Sequence, residues 1–339
     1  MKNGLMIYPS YNGIFNIGDY IQSLAALQFI NGDVEYINRE RLDKYTDESI
    51  KLIMNGWFLH EPKHWPPSEF IKPLLVSFHL NSDAYQLLGN KNSIDFFKKH
   101  EPIGCRDKST MHLFLEKGIS AYFSGCLTLT LGEKYSNNEK SEEIYFVDPY
   151  YQINKDFLSI AKHAFILLLN FTKIKRICKL MHNSLSVRLL IKTTFFYKDY
   201  KKIFDSKVLE NSIYIKHEIK DDDFMNENEK FNFARTLLYK YSKAKFIVTS
   251  RIHCALPCLG LETPVLYIEN IHQGETSYCR LDGLRELLHV IKYDNGKMNI
   301  PFINPGLKKI KIETSFKNKN NYKSLKEQLI AQCNNFLNL

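Results

Sequence analysis

Short apolar runs alternating with helical patterns constrain the fold of this chain more than any other feature. Within the first 130 residues, Gly4 to Tyr8, Lys51 to Met54, Leu74 to Phe78, Pro102 to Cys105 and Ser120 to Phe123 read as strands. Tyr20 to Phe29 and Lys108 to Lys117 read as helices, the second closed by Gly118. Strands separated by helices predict a parallel, doubly wound sheet. The polar, non-periodic stretch from Leu131 to Ser141 reads as an interdomain linker. The alternation then resumes, with strands at Ile144 to Val147, Ser212 to Ile215, Phe246 to Thr249 and Pro264 to Ile268. Helices are expected at Asn228 to Lys243, Cys254 to Leu259 and Tyr322 to Phe336.

The expected fold class is therefore α/β, with two Rossmann-like domains on parallel sheets, and a length of 339 residues suits two cores. The first domain spans 1–132. The second spans 142–310 and carries a basic helical insert at 155–205, and a helix within 316–339 packs back toward the first domain.

A formal charge of +9 raises nucleic-acid and membrane partners, but the charge is local. Between Lys155 and Lys202 there are eleven Lys and Arg against only Asp156 and Asp199, which accounts for the whole excess. No nucleic-acid motif accompanies that stretch, so no nucleic-acid partner is read. The insert mixes Phe165 to Leu169 with Lys173, Lys175, Arg176 and Lys179. The favoured reading is a helical hairpin packed on the second domain with solvated lysines; the other is a helix lying on an anionic membrane and meeting a lipid-linked glycan. The apolar run at the start is too short for a secretory signal, and the longest wholly apolar run, Ala164 to Leu169, is too short to span a bilayer. A cytoplasmic location follows as the expectation, with peripheral contact at the inner face of the cell membrane through 155–202 only under the second of those readings. Seven cysteines, odd in number and without a CxxC pair, read as reduced thiols.

Ligands of doubly wound sheets sit beyond the carboxyl ends of the strands, so strand-to-helix loops hold the candidate site residues. Asn12 to Asp19 contains two glycines that permit close backbone approach, and Asn16, Gly18 and Asp19 open a helix for which Asp19 is the expected cap. Cys105 to Thr110 places Arg106 at a strand end ahead of a helix, with Asp107 as the cap and Ser109 in the first turn. Ser250, Arg251 and His253 crowd one loop between two apolar elements, combining fixed positive charge with a group able to exchange a proton. A histidine that merely caps the helix is the structural alternative. Asn55 to Phe58 and Ser77 to His79 also follow apolar runs, so Trp57 and His79 are candidates for stacking on a sugar and bonding its hydroxyls, or else core fillers. His253, Cys254 and Cys258 offer at most three of four metal ligands, so neither metal nor cofactor is read.

Taken in order, Asn16 to Asp19, Arg106 to Ser109, Phe246 to His253 and Ala255 to Val265 resemble the polysaccharide pyruvyl transferase family. The likeness runs from about residue 4 to about residue 290. It implies a glycosyltransferase-B-like pair of domains. The implied reaction moves pyruvate from phosphoenolpyruvate onto a sugar as a ketal, in capsule, exopolysaccharide or cell-wall glycan synthesis. By that resemblance Arg106 and Arg251 bind the donor, with Ser109 and Ser250 beside them, and His253 assists proton transfer. The expectation is that arginines from the two domains clamp both ends of the donor when the cleft closes. Many relatives carry an acidic turn where this chain reads Ser124 to Thr128, so an acceptor-side base must come from elsewhere. A nucleotide-sugar glycosyltransferase of the same fold, or a non-catalytic glycan-binding relative, are the competing functions.

Overall fold

The computed structural model describes residues 1–154, 156–272, 274, 279–301 and 309–338. Positions 155, 273, 275–278, 302–308 and 339, which belong to the expected insert, second domain and last helix, lie outside the described residues. In chain order the strands are β1 (Lys2–Ile7), β2 (Ile14–Asn16), β3 (Val34–Asn38), β4 (Ile50–Phe58), β5 (Ile71–Leu80), β6 (Ile103–Cys105) and β7 (Ala121–Phe123). After them come β8 (Ile144–Val147), β9 (Ile213–Ile215), β10 (Glu218–Lys220), β11 (Phe246–Thr249), β12 (Val265–Asn270), β13 (His289–Asp294) and β14 (Lys297–Asn299). The helices used below are α1 (Ile17–Leu27), α2 (Lys91–Lys99), α3 (Lys108–Glu116), α4 (Gly132–Tyr135), α5 (Phe157–Leu169), α6 (Phe171–His182) and α7 (Val187–Tyr200). They continue with α8 (Ser206–Asn211), α9 (Glu227–Lys243), α10 (Ile252–Gly260) and a last helix, Lys323–Asn338.

The first sheet is parallel throughout, in the order β3-β1-β4-β5-β6-β7. The second runs β14-β13-β12-β11-β8-β9 and is parallel except for the edge pair β13–β14. β8 and β11 are buried at every position, as uninterrupted apolar strands covered on both faces must be. The chain thus forms two Rossmann-like α/β layers. In each sheet the strand order reverses once, between β1 and β4 and between β8 and β11, which marks where a crevice opens at the strand ends.

The two layers share one apolar core. Buried residues of α1, α9 and α10 join the first sheet's core to one face of the second sheet, while α6, α7 and α8 cover the opposite face with a separate cluster. β2 and β10, one from each half, pair antiparallel as a ribbon across the boundary. α10 approaches the turn Leu127–Thr130 so closely that a Cβ on Gly260 would lie 2.5 Å from the Thr128 carbonyl oxygen.

Several local expectations change. The first five residues of the expected linker are not loose: Leu131 is buried and Gly132–Tyr135 is helix α4, because it packs against Gly260. Asn55 to Phe58 and Ser77 to His79 are strand, not loop, since β4 and β5 pair to their ends across a bulge at Met54 and Gly56. The expected hairpin at 155–205 packs only in part: α6 buries Ile174, Ile177 and Cys178, and α7 buries Phe195 and Phe196, but α5 buries His163 alone. The last helix lies on the first half, where Lys326 meets Glu133 at 2.8 Å and Lys51 Nζ donates to the Phe336 carbonyl at 3.1 Å.

Candidate active site between the two sheets

His253 sits in the first turn of α10 with only 5% of its surface exposed. It caps nothing, because α10 has no side-chain cap bond. Its ring lies against the start of α1, where Gly18 makes the approach: a Cβ at that position would be 2.7 Å from His253 Cβ. Asn16, not Asp19, caps α1, its Oδ1 accepting from Gly18 N at 3.1 Å. An Asx residue two positions before that N–H suits the bond, whereas Asp19 is already inside the helix and its carboxylate is left for the crevice. Asp19 Oδ1 accepts from Gln22 Nε2 at 3.1 Å, Gln22 Nε2 lies 3.5 Å from His253 Nδ1, and Arg106 Nη1 faces His253 Nε2 at 3.5 Å. These groups form a polar chain across the domain boundary.

Arg106 follows β6 and is fully buried. Its Nε and Nη2 have no hydrogen-bond partner among the described residues, and Asp107 Oδ2 stands 3.9 Å from Nε. Asp107 caps α3 by accepting from Thr110 N at 2.9 Å, and it also holds His79 Nδ1 at 2.6 Å. His79 thus belongs to the buried support behind Arg106 and lines neither chamber described below. Ser109 donates to Asp282 Oδ2 at 3.4 Å and, with Lys108 N bonded to the Asp282 carbonyl, ties α3 to the segment after Arg280.

Two chambers meet at His253. The smaller, about 140 Å³, is walled by Ser250, Arg251, His253, His217, Tyr267 and Arg280. The larger, about 530 Å³, is walled by Tyr11, Asp19, Arg39, Trp57, His60 and Asn81, among others. Asn16, His253 and Arg280 border both, so the chambers adjoin at His253. Arg251 in the smaller chamber is paired already, its Nε with Asp148 Oδ2 at 2.9 Å and its Nη2 with Glu218 Oε1 at 2.6 Å. Ser250 Oγ donates to the Asp148 carbonyl. Arg280 faces both chambers with no carboxylate bound to it among the described residues. Arg106 is not on the wall; it stands behind His253. In the larger chamber Trp57 packs on His60 with ring centres 4.1 Å apart, and the Arg39 guanidinium lies 5.0 Å over the indole.

The electrostatics follow from burial and crowded cations. Burial holds the His253 imidazole well below its usual range, and Arg106, Arg280, His217 and Arg251 add to the effect. His217, buried with Nε2 2.8 Å from the Tyr241 hydroxyl, is lowered to about 3 by burial and then Arg251. His79 is lowered to about 4 by burial and Arg106, against the pull of Asp107. Asp19 is shifted the other way, its carboxyl raised above the usual carboxylate range by burial although Arg39, Arg106 and Arg280 oppose. All three histidines are therefore neutral at pH 7.

The structure brings Asn16, Gly18, Asp19, Trp57, Ser250, Arg251 and His253 around one crevice, with Arg106 directly behind it. It keeps His79 and Ser109 in supporting positions. Sequence reasoning missed Arg39, His60, Asp148, His217, Glu218 and Arg280. Arg39, Asp148 and His217 lie just beyond the ends of β3, β8 and β9, so the strand-end rule already used for Arg106 would have found them, whereas Arg280 is too far past the end of β12 for that rule. β3 escaped notice because Val-Glu-Tyr-Ile-Asn is too polar to stand out as a buried strand.

A solved structure of a functionally uncharacterised protein from Klebsiella pneumoniae subsp. pneumoniae NTUH-K2044 is similar, at 14% identity and a TM-score of 0.40. The match covers 80% of this chain and 85% of that one. No curated protein matches the chain significantly. The family model for polysaccharide pyruvyl transferase matches residues 16–272, which takes in Asn16 and Asp19 at its start, Arg106 in its middle and the His253 loop near its end. With most of its length, and both walls of the crevice, inside that match, the chain belongs to the polysaccharide pyruvyl transferase family, a family of transferases acting on polysaccharides.

Proposed function

We propose that this transferase moves the pyruvate unit of phosphoenolpyruvate onto two hydroxyls of one sugar in a surface polysaccharide or lipid-linked oligosaccharide, releasing phosphate. The observation that carries the reading is the pairing of a small cationic chamber with a larger aromatic one, joined at a histidine. About 140 Å³ is well under the roughly 300–1,000 Å³ of ordinary cofactor and drug pockets, so a compact anion suits it and a nucleotide sugar does not. Phosphoenolpyruvate carries a carboxylate and a phosphate, matched by Arg251 and Arg280.

In this reading the anion raises the proton affinity of His253, which is neutral in the empty site, and so loads the acid only when the donor is present. His253 then protonates the donor methylene carbon, which becomes the methyl group. A sugar hydroxyl attacks the adjacent carbon, the carbon–oxygen bond to phosphate breaks, and a second hydroxyl closes the ketal. Of the two hydroxyl protons, one restores His253 and the other leaves on phosphate. Arg106 acts as a positioning residue through His253 Nε2. Asp19, absent from the loop where many relatives carry an acid but present in the larger chamber, is placed to take a hydroxyl proton, and Trp57 to stack on the sugar.

The test is incubation with phosphoenolpyruvate and candidate lipid-linked oligosaccharides, reading phosphate release and product mass. Gain of a pyruvate ketal on one acceptor is expected. Release of nucleoside diphosphate from a sugar nucleotide, with no turnover of phosphoenolpyruvate, refutes the reading.

A further inference from the structure

We infer that the outward face of α5, with the elbow between α5 and α6, is a docking surface for an anionic lipid bilayer. α5 inverts the order of an ordinary surface helix. Ser159, His163, Ile166 and Leu167 turn toward the protein, while Phe157, Leu158, Phe165, Leu168 and Leu169 are 62% to 83% exposed. At the helical period, Phe157, Ala161, Ala164, Phe165 and Leu168 form one continuous stripe on the solvent side. Lys162 is the helix's only charged side chain. Clusters of exposed apolar side chains on this scale mark a contact surface.

The elbow supplies the charge. α6 leaves α5 at 102°, and Phe171, 45% exposed, carries the apolar surface around the bend. Lys175 Nζ stands 5.8 Å from the Phe171 ring centre, and Lys179 is exposed one turn further along the same side. Arg176 is not part of this fringe, since it bonds the Glu210 carbonyl and Asn211. Apolar side chains rimmed by lysines match the headgroup boundary of an anionic leaflet, where the stems bury and the ammonium groups meet lipid phosphate. A second copy of this chain fits less well, because a symmetric pair would bring two lysine fringes together. Among the described residues no single helix is long and apolar enough to cross a membrane, so α5, about 20 Å long at 1.5 Å per residue, lies in the plane of the surface.

In the chain α5 follows the strand whose end carries Asp148, the partner of Arg251 in the crevice. The inference rests on the surface alone and holds whichever donor the transferase uses.

The experiment is sedimentation of the full chain with vesicles of equimolar phosphatidylglycerol and phosphatidylcholine, and with phosphatidylcholine alone. The wild-type chain is expected to sediment with the anionic vesicles only. Leu168→Glu with Leu169→Glu should lower partitioning at least about a hundredfold, and Lys175→Gln with Lys179→Gln roughly thirtyfold. Both double variants alter exposed residues and should keep the wild-type melting temperature. A Leu168→Trp variant should shift its emission to shorter wavelength on vesicle addition. The inference is overturned if the wild-type chain ignores anionic vesicles, if the Glu variant binds as well as wild type, or if light scattering shows a dimer that the Glu substitutions dissolve and vesicles do not bind.

Discussion

Replacing Gly18 with alanine sets helix propensity against packing across the domain boundary. Gly18 is the second residue of α1 and does not use positive φ, so alanine should favour the helix by up to about 1 kcal/mol. Its new Cβ, however, would stand 2.7 Å from His253 Cβ and 3.1 Å from both His253 Nδ1 and Asn16 Oδ1. Carbon atoms at rest sit about 3.5–4.0 Å apart, so α1 and α10 must separate or His253 must tilt by roughly 1 Å. Overpacking of that kind costs about 1–3 kcal/mol and also strains the Asn16 cap, so packing wins over propensity. Displacing a reacting group by about 1 Å costs on the order of a hundredfold in rate. Gly18→Ala should therefore lose about 1–2 kcal/mol in urea unfolding, and phosphate release should fall about a hundredfold. In a His253→Ala background the stability cost should persist, since alanine keeps the Cβ, while the rate effect should vanish. Gly89→Ala is the control, with nothing within 4 Å of its new Cβ and no positive φ, and should be neutral or slightly stabilising. A Gly18→Ala variant as stable and as active as the Gly89→Ala control would refute the tight contact between α1 and His253.

Arg106→Met leaves the buried Asp107 carboxylate without the guanidinium 3.9 Å away, so unfolding free energy should fall by about 3–5 kcal/mol and phosphate release at least about a hundredfold; unchanged stability would show instead that Arg106 is not a needed partner of Asp107. Asp19→Asn should cut acceptor-dependent turnover about a hundred- to ten-thousand-fold and leave phosphoenolpyruvate binding by calorimetry intact or tighter, because a negative charge has left the crevice. Loss of donor binding in that variant would overturn the assignment. His217 and His79 have folded pKa values near 3 and 4, below the usual 6.5, so the unfolded chain takes up protons first as pH falls. Stability should therefore be full above pH 6.5 and decline from there toward pH 4, by roughly 1.4 kcal/mol per pH unit for each histidine that protonates only on unfolding. Asp107 is pushed up by burial but held lower by His79 and Arg106, and it acts only in the lower window below its usual 3.8. Urea midpoints at pH 7.5, 6 and 5 in an Asp19→Asn background, which removes a carboxyl raised by burial, read the histidines, and a flat profile would refute their buried neutral state.

Local order was legible wherever near neighbours decide it. Phe246 to Thr249 is a strand on its own composition, Asp107 caps α3 because its carboxylate reaches Thr110 N three residues on, and Gly118 stops that helix with φ +66. Arginine and histidine at the strand ends were visible for the same reason, since the strand-end rule is itself local. The misread cases at Asn55 to Phe58 and Leu131 to Tyr135 are those where a distant partner, β5 or Gly260, decides the conformation.

Alternating elements and capped strand ends were thus properties of the sequence by itself, because a hydrogen bond or apolar period a few residues long is enough to specify them. Convergence was not. Arg106 meets His253 across 147 residues, and Arg251 finds Glu218 only because β10 crosses to pair with β2. Which charges face a shared space depends on sheet order and on which helices share a core. The leucines of α5 show the same limit: an apolar residue reads alike in sequence whether it is buried or bare, and only the tertiary structure, by covering α6 and leaving α5 open, decided which it would be.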